Sequence, residues 1–192
     1  MKGMQRVVVG ISGASGAALG IRIVELFALT GYETHLVISR SAERTISHEA
    51  GADALGQVQA AASYVHSIDD IGATIASGSF RTAGMIVAPC SMRTLSAIAG
   101  SAADNLLVRA ADVHLKERRR LVLLTRETPL HLGHIRAMAA ATEFGAIIAP
   151  PVPAYYRKPQ SVAEIIDHTA RRAIDLLDLD IGPLAESWSG SE

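Results

Sequence analysis

The sequence predicts an α/β chain: a parallel sheet with helices on both of its faces. Two observations carry that expectation. Short runs rich in Val, Ile and Leu recur along the 192 residues, as "RVVVGI", "THLVIS", "GMIVAPC", "RLVLLT" and "GAIIAP". Between them lie Ala- and Leu-rich stretches with the i, i+3, i+4 apolar spacing of helices. Strands that are apolar on both faces belong in a sheet covered on both sides, which gives a single-domain Rossmann-like or flavodoxin-like architecture. The expected unit is 1–192, with a core over about 5–178 and a C-terminal tail over 179–192.

The first run, from Val7, ends in the turn "GISGASGA" and continues as a helix. Its glycines fall as G-x-x-G-x-x-G, so the dinucleotide fingerprint G-x-G-x-x-G is not met. A strand, a glycine-rich turn and a helix start still aim backbone N–H groups and a dipole end at an anion, and a phosphate is the first expectation. Simple closure of a tight βα connection is the alternative. The second run opens at Glu33 and ends at Ser39-Arg40, where a nicotinamide enzyme would carry an acid for the ribose. A hydroxyl and a cation there fit a mononucleotide phosphate better, although Ser39 is also a natural N-cap.

The third run turns directly into "PCSMRTLS", a second donor-rich helix start at Ser91, Arg93, Thr94 and Ser96. Cys90 ends a buried strand with no base partner nearby in sequence and reads as structural. "NLLVRAADVHLKERRR" then sets Arg109 and Lys116 two turns apart on one helical face. The fourth run ends in "RETPLHLGH", with Arg126 and Glu127 where an active-site loop of this architecture lies, as a proton shuttle or a surface ion pair. His131 and His134 have no third ligand at metal spacing. "PPVPAYYRKPQS" is stiff and presents Tyr155, Tyr156, Arg157 and Lys158, and the helix after it carries Arg171 and Arg172.

Composition narrows the function. The net charge is −1 and aromatic residues make up 4%, which argues against a nucleic-acid surface. No apolar run approaches the roughly 20 residues of a membrane span. One cysteine excludes an internal disulfide, and with no secretory leader in view the cytoplasm is the expected compartment. The polar tail after Gly182 is expected to be mobile, save around Trp188.

With these motifs in hand, the chain resembles the UbiX-type flavin prenyltransferases from about Val7 to Trp188. "GISGASGA", "ETHLVIS", "ASGSF", "PCSMRTLS", "RAADVHLKERR", "RETPLHLGH" and "PPVPAYYRKPQS" carry the resemblance. It implies a metal-independent enzyme that joins a dimethylallyl group from dimethylallyl phosphate to N5 and C6 of reduced FMN. The product, prenylated FMN, would serve a UbiD-type decarboxylase. By position, Gly13, Ala14, Ser15 and Ser39 would hold the FMN phosphate and ribityl chain, and Ser91, Met92, Arg93, Thr94 and Arg126 the rest of the flavin. Tyr156, Arg172 and Lys116 would bind the phosphate of the donor. Glu49, Arg109, Lys116 and Glu127 match catalytic positions. The resemblance also implies a site between subunits of a homo-oligomer, a dodecamer of trimeric units.

The residues themselves agree with a monophosphate donor. Asp69-Asp70 has no second acidic cluster to make the paired Mg²⁺ site typical of diphosphate ionisation, so fixed cations must stabilise the leaving phosphate. Two rival readings stand beside this one. FMN-dependent cysteine decarboxylases use an active-site histidine, for which His66 is the candidate, but also an Asn-bearing loop where this chain has "PCSMRTLS". A non-catalytic FMN carrier would have no use for a second phosphate site.

Overall fold

The computed structural model describes residues 5–187 and 190. Six parallel strands form one sheet: β1 (Arg6–Ile11), β2 (Glu33–Ile38), β3 (Tyr64–His66), β4 (Gly84–Cys90), β5 (Arg120–Thr125) and β6 (Ile147–Ile148). Their order is 3-2-1-4-5-6, the Rossmann order. The chain reverses direction across the sheet between β1 and β4, and loops at the carboxyl ends of those strands diverge there to leave a crevice. Five strands match the apolar runs; β3 does not. It is three residues long, with Tyr64 and Val65 exposed at the sheet edge, so it lacks the apolar run that marks the others.

Seven helices are described: α1 (Ala17–Ala28), α2 (Arg40–Ala50), α3 (Ala54–Ala61), α4 (Met92–Ala99), α5 (Leu106–Lys116), α6 (Leu132–Glu143) and α7 (Val162–Asp175). They divide between the two faces through the alternation of the strands. Val7, Val9 and Ile11 point to one face and pack with Ile23, Val24 and Phe27 of α1 and Ala170, Ala173 and Ile174 of α7. Val8, Met85, Val87, Leu121 and Leu123 point to the other, against Leu95 of α4, Leu106 and Leu107 of α5 and Ala141 of α6. Helices α5 and α7 are therefore on opposite sides of the sheet.

One glycine sets how closely helix and sheet approach. A Cβ on Gly20 of α1 would lie 2.2 Å from the Ala88 carbonyl oxygen of β4, so only glycine lets α1 seat here. The tail departs from its expected mobility. Both carboxylate oxygens of Asp175 accept backbone hydrogen bonds, from Leu184 N at 2.7 Å and Ala185 N at 3.0 Å, and Arg157 pairs with Glu186. A carboxylate at the end of α7 holds the strap in place, and Ala185 is buried. Trp188 lies outside the described residues.

Candidate functional site

The crevice is built by four loops fastened to one another. The Ser12 hydroxyl after β1 donates to the Pro89 carbonyl at 2.8 Å and accepts from Ser91 N at 2.7 Å, so a single side chain joins the β1 and β4 loops. Ser39 N donates to the Ile11 carbonyl, and Arg126 N to the Cys90 carbonyl, which adds the β2 and β5 loops to the same rim. Both candidate serines also cap helices: Ser39 Oγ accepts from Ala42 N, and Ser91 Oγ from Thr94 N. Each keeps a hydroxyl proton, shared with Ser41 by Ser39 and given to Thr94 Oγ1 by Ser91.

Gly13 and Ser15 line a cleft of about 500 Å³ with Ser41, Arg44, Thr45, His48 and Glu49. Two of the amides that open α1 are already engaged. Gly16 N and Ala17 N both donate to Glu49 Oε2 at 2.9 Å, so the anion on this helix end is the chain's own carboxylate. That leaves the backbone of Gly13, Ala14 and Ser15 and the hydroxyl of Ser39 for an incoming phosphate, since the Ser15 hydroxyl also donates to Glu49. Partial burial pushes the Glu49 pKa up, but hydrogen bonds from Ser15, Ala17 and Gly16 and the nearby Arg126 guanidinium outweigh it, and the carboxyl sits below the usual range. The structure thus brings Ser15, Glu49 and Arg126 together.

In the β4 loop Met92 is buried, which turns its side chain into the core and leaves its backbone to the crevice. The Arg93 guanidinium is exposed and held by Asp104 at 2.6 Å. Glu127 turns back on its own loop, accepting from Thr128 N at 3.1 Å. His131 caps α6 through Nδ1, which accepts from Gly133 N, and its ring lies 3.6 Å from that of His134. Cys90 is fully buried and its thiol is pushed up to about 12 by burial, so no thiolate is available for attack at neutral pH.

The remaining candidates fall into two groups that one protomer keeps apart. Arg109 on α5 donates to the Ala76 carbonyl and pairs with Asp112 at 2.7 Å, and Lys116 pairs with Glu117 where α5 reaches the amino edge of the sheet. The "ASGSF" segment braces this group: the Gly78 and Phe80 carbonyls accept from Arg119. On the opposite face, Tyr156 and Arg172 line a cavity of about 720 Å³ with Pro150, Val152 and tail residues Pro183 and Ala185. Arg171 points elsewhere, into the neighbouring groove, and pairs with Asp167 at 2.6 Å. The cavity also contains His168, which nothing in the sequence reading singled out; its position four residues before Arg172 was the available signal.

His66 is engaged as well. Its Nε2 lies 2.8 Å from His35 Nδ1, whose Nε2 lies 2.8 Å from Glu33 Oε1, and Arg6 completes the row. Burial lowers the pKa of both histidines. Among the described residues no group of three or more His, Cys, Asp or Glu is placed to hold a metal ion, and no helix is long and apolar enough to cross a membrane.

Comparisons with known proteins converge. The Flavoprotein family model matches residues 1–172. A flavin prenyltransferase UbiX of Thauera aromatica is 55% identical over 187 residues, 97% of this chain and 95% of that protein. A crystal structure of AnUbiX (PadA1) in complex with FMN and dimethylallyl pyrophosphate superposes with a TM-score of 0.93 at 50% identity, covering 98% of this chain and 99% of its own. A dodecameric FMN-dependent UbiX-like decarboxylase from Escherichia coli O157:H7 does so with a TM-score of 0.91 at 44% identity, covering 97% and 100%.

Proposed function

We propose a function on the premise that this chain belongs to the flavoprotein family, among the UbiX flavin prenyltransferases. It is a flavin prenyltransferase: it joins a dimethylallyl group from dimethylallyl phosphate to N5 and C6 of reduced FMN and forms prenylated FMN for UbiD-type decarboxylases. It works as a homo-oligomer, a dodecamer as in the related structure. We place it in the cytoplasm, on the strength of its single cysteine and the lack of a spanning helix among the described residues.

The residues present fit a flavin mononucleotide. A Cβ on Gly13 would fall 2.2 Å from Ser41 Oγ, so this corner of the cleft admits only glycine and keeps its backbone open to a phosphate. Gly13, Ala14, Ser15 and Ser39 hold that phosphate in this reading, and the backbone of Ser91 to Thr94 with Arg126 meets the ring system. When bound, reduced flavin supplies the electron-rich N5 and C6 that take up the allyl unit.

The chain's own work is electrostatic and protonic. Arg172, Tyr156 and Lys116 meet the donor's phosphate as negative charge grows on it, with Arg109 beside them; preorganised groups of this kind cost no reorganisation at the moment of bond cleavage. Glu127, exposed on the β5 loop, or the released phosphate itself removes the ring proton after closure. Glu49 remains ionised and orders the start of α1 beside the flavin.

The observation that carries the shared-site reading is the division of the cations. Arg109 and Lys116 occupy one face of the sheet, Tyr156 and Arg172 the other, and a site using both sets needs more than one protomer. The cysteine decarboxylase reading loses its histidine, because His66 Nε2 is committed to His35. The test is to incubate protein, reduced FMN and dimethylallyl phosphate without metal and weigh the flavin. A gain of one five-carbon unit is expected. No gain, with carbon dioxide released instead from a peptide ending in cysteine, overturns the assignment.

A further inference from the structure

His168 stands one helical turn before Arg172, so the two side chains share a side of α7. Both line the cavity that contains Tyr156. His168 is half-buried and also borders the adjoining groove between α1 and α7, which makes it the wall between the two spaces. We propose that His168 is a catalytic acid of the donor site: it takes up a proton when a phosphate ester settles between Tyr156 and Arg172 and gives that proton to the departing phosphate. The proposal rests on reading this cavity as the donor's phosphate subsite.

The surroundings explain why the proton arrives with the ligand. The groups facing His168 are Arg157 from the turn over Tyr155–Arg157, Arg172, Asp167 and Asp175 on α7 itself, and Glu186 from the tail. Burial first, then Arg157 and Arg172, hold the imidazole below its ordinary pKa; Asp167 and Asp175 oppose them. The acids are already committed. Asp167 is held by Arg22 and Arg171, Asp175 by the Leu184 and Ala185 amides, and Glu186 by Arg157. His168 therefore rests neutral. A phosphate dianion in the cavity offsets the two arginines and gives the imidazole an anionic acceptor, which favours the imidazolium form.

The chemistry needs such an acid. When the C–O bond of a dianionic monoester breaks, its electron pair stays on oxygen and the phosphate would leave with three negative charges. One proton from His168 turns it into hydrogenphosphate, and His168 returns to its neutral form. Charge and protons balance without any further reactant, since the proton comes from solvent at the binding step.

The experiment is calorimetric titration of the oligomer, loaded with oxidised FMN so that no turnover occurs, with dimethylallyl phosphate at pH 7.5. Two buffers of different ionisation enthalpy report protons taken up. The wild-type chain should take up a large fraction of one proton per site, and His168→Gln should abolish that uptake. Its single-turnover prenylation rate should fall on the order of 10²-fold, the usual weight of general acid catalysis. Absence of uptake by the wild-type chain overturns the proposal before any variant is made, and uptake unchanged in His168→Gln does the same. Failure of the underlying reading looks different: Arg172→Ala would then bind dimethylallyl phosphate as the wild type does.

Discussion

Replacing Gly13 by alanine tests the phosphate cradle at its tightest point. The added Cβ would lie 2.2 Å from Ser41 Oγ, 2.5 Å from Ser41 Cβ and 3.2 Å from the Ser41 carbonyl carbon. Rotation of the hydroxyl relieves the first contact but leaves the second, because Cβ moves only with the backbone. The first turn of α2 must therefore retreat by about 0.5 Å to restore a tolerable Cβ contact. Gly13 lies outside the left-handed region, so the cost is steric and not conformational. Overpacking of this kind destabilises by about 1–3 kcal/mol, and at roughly 2–4 °C per kcal/mol for a chain of this size the melting temperature should fall by about 2–12 °C. Because Ser39 caps the displaced helix, FMN should be lost as well. The control is Gly13→Ala combined with Ser41→Gly, which removes both offending atoms: the alanine should then cost at least about 1 kcal/mol less than it does alone. Thermal melts and flavin absorbance of the four proteins measure this. An alanine that costs the same in both backgrounds, or that leaves flavin occupancy full, refutes the reasoning.

Two further outcomes follow from the structure. Coexpression of Arg109→Ala with Arg172→Ala, each inactive alone, should restore prenyl transfer in about a quarter of the sites of randomly mixed oligomers, since intact halves meet across chains; activity no higher than either variant alone shows that each site draws both residues from one chain. His114 concerns stability against pH. Its Nδ1–H donates to the Ala110 carbonyl and its Nε2 accepts from Thr82, and burial pushes it down to about 4. The unfolded chain titrates near 6.5 and binds more protons between those values, so stability should fall as pH drops from about 6.5 to 4, by about 3 kcal/mol over the window. Urea midpoints at pH 7, 5.5 and 4.5 report it, and a slope unchanged in His114→Gln rules out this histidine as the source.

What was legible in the sequence was whatever a single segment expresses. The runs that became β1, β2, β4 and β5 announce themselves because each carries consecutive apolar residues that reach both faces, and Ser39 caps a helix in the expected way. The loops at the carboxyl ends were found for the same reason. The hidden features join distant segments. Glu49 sits 33 residues from Gly16, and no local pattern says that its carboxylate ends on that amide. Asp175 holds the tail through backbone N–H groups, which every residue but proline possesses, so the tail's own side chains carry no trace of it. β3 is too short to show a period. His168 is masked by a helix whose other polar residues, Asp167, Arg171 and Asp175, are absorbed in ion pairs and backbone contacts.

The placement of α5 and α7 on opposite faces has a consequence for how much protein is needed, as distinct from how well each copy works. If neither face holds a complete set of cations, an isolated chain is silent, and turnover obeys the mass action of assembly. Halving the protein then removes more than half of the activity once its concentration approaches the dissociation constant of the subunits. The supply of the modified flavin acquires a threshold: below a certain abundance of this chain, a cell that still makes it makes almost no product.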